Sequence, residues 1–412
     1  MDDINKNDNP FLITEFQIFL TARLFFIFAI RMLFTTVSYQ LFDLTRQTYF
    51  IGIAGLFEFV PALVAAFFAG AYIDKHNKKN ILCFGYLAYI LCVLALIYLG
   101  STHCKLNFTT NVIIYCLYSV MFCTGLIRSF VGPAGNSMIA AIVPAASLQK
   151  ATSYNSTIWL FSSVVGHIIA GFVIAGLGVQ AAYANIAICM LIALFFALKI
   201  KSKPPVFSQI TEPILSSIKN GFLFVWNQKN ILGVMSLDLF VVLFGGAIAF
   251  IPEVNSVILK SGAMGFGFLN AAIDIGGLLS IVLLIFLPLK TNQGIKMLVS
   301  VFGFGICIII FGLSKQYWLS FLALFFAGIF DGISVVIRGT IIQLQTPNNL
   351  RGRVSSINSI FINSSNEFGA FESGITSKLM GTIPAIVFGG IMSLVVTGIT
   401  YVKFPSIKKL NY

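Results

Sequence analysis

Apolar runs of about 20 residues recur along the whole chain, each long enough as a helix to cross a ~30 Å hydrocarbon core. Short polar stretches rich in Gly, Asn, Asp and Lys separate them. The pattern predicts twelve membrane helices. Six fall at 14–38, 47–70, 80–100, 110–142, 148–176 and 180–200. Six more fall at 231–251, 265–289, 295–314, 317–345, 353–380 and 383–403. The fold class expected is therefore all-α and membrane-integral: a six-helix bundle over 1–200, a linker over 201–230 and a second bundle over 231–412. The linker contains two adjacent prolines and reads as cytoplasmic, with a short amphipathic segment.

Composition agrees. Of 412 residues, 58% are hydrophobic and 10% charged, and the mean hydropathy is +0.94. A net charge of +12 in a soluble domain would suggest nucleic acid, but here its placement argues for topology instead. With the N-terminus inside, basic residues of the cytoplasmic segments outnumber those of the outer loops seventeen to five. That bias places both termini in the cytoplasm. The polar, acidic start MDDINKNDNP has no basic n-region and no cleavage site, so a retained N-terminus is expected. Of seven cysteines only Cys104 falls in an outer loop, and no CxxC pair occurs, so neither a disulfide framework nor a zinc site is indicated.

The two halves repeat. Adding 203 to positions in helices 4 and 5 pairs Gly125 with Gly328, Pro144 with Pro347 and Asn155 with Asn358. The same offset pairs Ser162 with Ser365, Gly166 with Gly369 and Gly171 with Gly374. For helices 1 and 2 the offset is 215, which pairs Gly52 with Gly267. Two such halves are a common build of membrane transporters.

Charges inside the spans are the candidate chemistry. They are Arg23, Arg31, Arg128 and Arg338, with Glu58, Asp238, Asp274, Asp331, Glu367 and Glu372. Each would cost about 2.5–3.5 kcal/mol or more facing lipid, so each must face water, the bundle interior or another charge. Arg128 corresponds to Asp331 and Arg23 to Asp238 under the offsets, which suggests ion pairs between halves. Arg23 and Asp238 also fit static or interfacial roles. Glu58, in GLFEFVPAL, and Asp274, near the matching place in helix 8, suit a proton carrier or a buried neutral carboxyl. In helix 11, Ser355, Asn358 or Ser359, Asn363, and Asn366 or Glu367 recur at spacings of three and four. That stripe lines a cavity or joins helices.

One loop organises the reading. Gly70–Lys79 reads GAYIDKHNKK, with Asp74, Lys75, Lys78 and Lys79 between two membrane-length runs. Its spacing resembles the loop between helices 2 and 3 of the major facilitator superfamily. The resemblance implies a cytoplasmic latch of Gly70, Asp74 and the three lysines that holds the outward-open state. Asn77 stands where the family often has Gly, and Asn tolerates a left-handed turn. The second-half loop LPLKTNQGIK lacks the acid, so Asp74 should dock on the start of helix 11, near Arg353. The segments RGRVSSINSIFINSSNEFGAFESG, FAGIFDGISVVIRGTIIQLQTP and SLDLFVVLFGGAIAFIP look like the bacterial efflux branch that includes the enterobactin exporter group. In helix 5, Gly166-His167-Ile168-Ile169-Ala170-Gly171 follows the outline of that family's Gly-Pro-x-x-Gly-Gly antiporter motif, with Pro and one Gly replaced. Small residues there let helices pack closely, and His167 could titrate or be simply hydrogen-bonded.

No phosphate loop, metal-ligand cluster or nucleophile–base constellation is present in the sequence, so no cofactor, metal or enzymatic activity is expected. The reading is a monomeric secondary transporter in a bacterial inner membrane, with a small amphipathic or metabolite-like substrate and protons as coupling ion. Export is expected; uptake, or a non-transporting receptor, are the alternatives. The lipid bilayer is its surroundings and nucleic acid no partner.

Overall fold

The computed structural model describes residues 9–202, 214–287, 289, 291–347, 350–408 and 410. Among these, every regular element is helical. The first helices are α1 (Thr14–Thr45), α2 (Thr48–Lys75), α3 (Lys78–Leu99) and α4 (Thr110–Ile142). The stretch Leu148–Lys199 breaks at Gly178, whose φ of 85° and ψ of 175° suit only glycine. The break divides it into α5 (148–177) and α6 (179–199). Then come α7 (Lys229–Gly245), α8 (Gly262–Phe286), α9 (Gln293–Leu313), α10 (Tyr317–Gln345), α11 (Arg351–Met380) and α12 (Thr382–Lys403).

Ten described segments are long and apolar enough to cross a membrane. One of them, Ala145–Lys199, is 55 residues long and holds both α5 and α6. Helix α11, 30 residues long, is long enough to span but is not among the ten, because its Ser, Asn and Glu residues lower its hydropathy. Counting both gives the twelve spans the apolar runs predict.

Two boundaries moved most, and one expected turn differs. Helix α1 runs to Thr45 rather than 38, because Gln40 is buried and satisfied within the protein. Its amide donates to the Leu99 carbonyl at 2.9 Å and accepts from the Tyr183 hydroxyl at 2.7 Å. Beyond α7, the chain stays helical past 251: a 3-10 turn at Ala247–Phe250, one α turn at Ile251–Glu253 and a π segment at Val254–Leu259. Asn77 is not in a left-handed turn. Its φ of −66° and ψ of 116° are extended, and its side chain caps α3 by accepting from the Lys79 amide at 3.0 Å. Cys104 is buried in the short helix Thr102–Asn107, and burial, with a smaller push from Cys116, raises its thiol pKa.

The chain forms two compact units, Met1–Gln40 with Phe57–Gln209 and Leu41–Leu56 with Ile210–Tyr412. Of the linker, residues 203–213 lie outside the described set, and the amphipathic segment is the helix Ile214–Asn227. Its Val225 packs with Ile231, Met235, Ile342, Val354 and Ile357 in the second unit.

The sequence repeat reappears as repeated contacts. In the first unit a Cβ on Gly125 of α4 would run into the Glu58 carbonyl oxygen of α2. In the second unit Gly328 of α10 has the same relation to Ile273 of α8, and the offsets map one pair onto the other. A Cβ on Gly166 would stand 3.1 Å from the Phe28 carbonyl oxygen; on Gly369 it would stand 3.1 Å from that of Leu243. Missing side chains let the same backbones touch twice.

Candidate functional site

Several of the intramembrane charges have an ionic partner inside their own unit. In the first unit, Arg128 Nη1 on α4 donates to Glu58 Oε1 on α2 at 2.8 Å. Glu58 is the more enclosed partner, its side chain 13% exposed against 35% for Arg128. Arg31, on α1, stands over the Trp159 ring, 4.4 Å from its centroid, and its Cβ fills the space left by Gly166. A cation over an indole face is a favourable placement for a charge inside a span. Gly171 is buried on the same helix. His167 is buried and lies 2.5 Å from the Thr35 hydroxyl through Nδ1.

Arg23 is buried and bonded to Asn155 and Asn136, each at 3.3 Å, with its guanidinium against Gly135. The offsets carry Arg23 to Asp238 and Gly135 to Arg338. In the second unit these two residues form a buried ion pair between α7 and α10. The same inter-helix position thus holds a guanidinium from α1 in one unit and from α10 in the other. Arg338 also lies 3.7 Å from Asp331 Oδ1. Arg338 was visible in the sequence as a charge in a span, but its partner was not: nothing in the spacing joins α7 to α10.

On α11, Asn363 and Asn366 are exposed and Asn358 and Glu367 half-buried. Asn366 donates to the Ile362 carbonyl at 3.0 Å, and Glu367 lies over Gly55, where a Cβ would stand 3.0 Å from its Oε2. Two further acids have defined surroundings: Glu253, which the sequence reading left out, and Glu372, which it marked only as a charge in a span. Glu253 accepts from Thr48 at 2.5 Å, from Ser377 at 3.4 Å and from Thr382. Glu372 lines a cleft of about 390 Å³ between α7 and α11. Its presence in a span was the available signal.

In the 70–79 segment, Gly70 has nothing within 4 Å of a built Cβ, and Asp74 and Lys75 are exposed at the end of α2. Lys78 and Lys79 open α3 and are half-buried. Asn77 also bonds Ser202, and His76 stacks on Tyr72 at 3.9 Å. Arg353, in the first turn of α11, packs its Cβ where Gly221 of the linker helix has none.

The family model of the Major Facilitator Superfamily matches residues 19–370. The chain belongs to the major facilitator superfamily. Curated relatives in Escherichia coli O1:K1 and Shigella boydii serotype 4, both named enterobactin exporter EntS, are 25% identical over 346 residues. The match covers 83% of this chain and 80% of theirs. Among solved structures, a D-xylose-proton symporter superposes with a TM-score of 0.75 at 14% identity, covering 98% of this chain and all of its own. The nucleoside transporter NupG gives 0.73 at 14% identity, covering 95% and 99%. This superfamily member is therefore a multi-pass membrane transporter of twelve-helix build, not an enzyme.

Proposed function

We propose that the chain exports a small amphipathic compound from the cytoplasm of a bacterium in exchange for protons, by alternating access across the inner membrane. The observation that carries the outward direction is the likeness to enterobactin exporters over most of both chains. A siderophore-like or drug-like cargo follows from the same likeness.

In this reading Glu58 with Arg128, and Asp274 with Asp331, are the candidates for carrying the proton, with Glu367 beside them. Arg31, Asn358, Asn363 and Asn366 face the substrate path. Gly70, Asp74, Lys75, Lys78, Lys79 and Arg353 form the cytoplasmic latch, while Gly166 and Gly171 pack helices. Both termini are cytoplasmic and the working unit is a monomer.

Uptake of a nutrient is the second reading. It is favoured by the altered antiporter motif, where His167 takes the proline position and is held by Thr35. The test compares metabolites in cells and medium for strains carrying the wild-type protein or Asp74→Ala. A compound that builds up inside the variant strain and falls in its medium supports export and identifies the cargo. The opposite pattern replaces export with uptake.

A further inference from the structure

The cleft between α7 and α11 lies wholly within the second unit, and its ~390 Å³ falls in the ~300–1,000 Å³ range of small-molecule sites. Leu239 and Leu243, one turn apart, form the α7 wall. Phe368, Phe371 and Ile375 form the α11 wall. Glu372 is the only charged side chain that lines it among the described residues. Its carboxylate has no hydrogen bond or ion pair among those residues. The nearby hydroxyls do not serve it. Ser365 donates to the Ile362 carbonyl at 2.9 Å and Thr376 to the Glu372 carbonyl at 2.9 Å.

A carboxylate placed among apolar walls costs free energy until a positive charge or a donor meets it. A cation supplies that charge, and phenylalanine faces attract cations as well. An anion would meet like charge, and a neutral ligand without a donor would leave the carboxylate uncompensated. We propose that this cleft binds an aromatic, lipophilic cation, with Glu372 as its counter-ion and Phe368 and Phe371 against its rings. The proposal rests on the export reading for its role as a cargo site, and deepens it by naming a substrate class.

Tetraphenylphosphonium and tetraphenylborate share a shape and differ in the sign of their charge, so they isolate the electrostatic claim. Equilibrium binding of each to the purified full-length protein would be measured at about pH 8.5, above the ordinary carboxylate range. Saturable binding of the phosphonium is expected, at least about tenfold tighter than the borate, or ~1.4 kcal/mol. Glu372→Gln should remove that preference, and Glu372→Asp should retain it. Leu243→Trp, which fills the cleft without altering charge, should weaken phosphonium binding by a similar factor, and gel filtration checks that each variant folds. If Glu372→Gln fails to fold, the wild-type ion preference and Leu243→Trp decide.

Equal affinity for the two ions, absence of saturable phosphonium binding, a preference that survives Glu372→Gln, or phosphonium affinity unchanged in Leu243→Trp overturns the proposal. Direction of transport does not enter this assay. A negative result here beside confirmed export removes the cleft alone, and phosphonium binding beside confirmed uptake removes only the direction.

Discussion

Glu58 is held by α4 twice: Arg128 Nη1 donates to its carboxylate at 2.8 Å, and Gly125, three residues earlier, lets α4 press against its carbonyl oxygen. Backbone contact fixes the height at which the carboxylate sits, and the guanidinium fixes where it points. The first is packing, which a residue without a side chain permits. The second is what a proton or a substrate could change.

Removing one partner leaves the other charge uncompensated, which costs about 3–5 kcal/mol for a buried pair and less where, as for Arg128, a third of the side chain is exposed. Glu58→Gln and Arg128→Gln should each lower the melting temperature of the purified protein and abolish transport. The exchange Glu58→Arg with Arg128→Glu should melt above both single reversals, Glu58→Arg and Arg128→Glu. An Arg128→Asp, Asp331→Arg exchange should rescue less, since each of those residues has its partner in its own unit. A better rescue by the second exchange would restore the pairing between halves that the offsets suggest.

Two glycines separate packing from latch function. Gly125→Ala forces its Cβ into the Glu58 carbonyl, and Gly328→Ala does the same at Ile273, so both should destabilise by about 1–3 kcal/mol. Gly70→Ala meets open space and should leave the melting temperature unchanged. If Gly70→Ala nevertheless slows transport, the residue matters in a state other than this one. A drop in melting temperature for Gly70→Ala with none for Gly125→Ala would invert the packing account.

Helix number and most limits were legible because hydropathy is a property of single segments. The runs at 110–142 and 317–345 coincide with Thr110–Ile142 and Tyr317–Gln345. The repeat was legible for the same reason: Gly125, Gly166, Gly328 and Gly369 keep their register along the chain. Side-chain partners were not. Glu58 and Arg128 were both marked as costly charges, yet nothing in the sequence says that α2 and α4 adjoin at that height. The end of α1 was missed because Gln40 and Asp43 read as loop, whereas the Leu99 carbonyl and the Tyr183 hydroxyl satisfy Gln40. Polar residues end a span in a hydropathy plot, but in a bundle they only require a partner.

The buried pair of Asp238 and Arg338 carries the largest stability prediction. Both residues are under a tenth exposed, and each offsets the cost of burying the other. Asp238→Asn should cost about 3–5 kcal/mol by leaving Arg338 with only the more distant Asp331. Asp331→Asn should cost much less. Melting in the same detergent compares them, and equal losses would mean that Arg338 is shared evenly between the two acids.

Asp74 makes a prediction about states rather than stability. It is exposed at the end of α2, so Asp74→Asn should leave the melting temperature intact. As a latch it should lower the outward-open fraction, measured by spin-label distances between the cytoplasmic ends of the two halves. An outward-open fraction that rises in Asp74→Asn would contradict docking of Asp74 on the start of α11.

Glu253 gathers hydroxyls from three places: Thr48 at the start of α2, Ser377 near the end of α11 and Thr382 at the start of α12. Lys378 lies over the Tyr49 ring at 4.4 Å, and Gly374 lets the Tyr49 backbone approach α11. The start of α2 is therefore held against Glu253 and α11 by one carboxylate and a short packed seam. A hydrogen bond to a charged group is worth about 1.5–3 kcal/mol, and Glu253→Ala removes three acceptor contacts while water can replace some of them. A net loss of about 2 kcal/mol in local stability gives ~30-fold faster amide exchange over 48–56. Exchange at Gln40 and Leu41, inside α1, should change little. Glu253→Gln, which keeps one acceptor oxygen, should fall between the two. If exchange over 48–56 is unchanged in Glu253→Ala, the tyrosine seam rather than the carboxylate holds the start of α2, and Tyr49→Ala should then produce the loss instead.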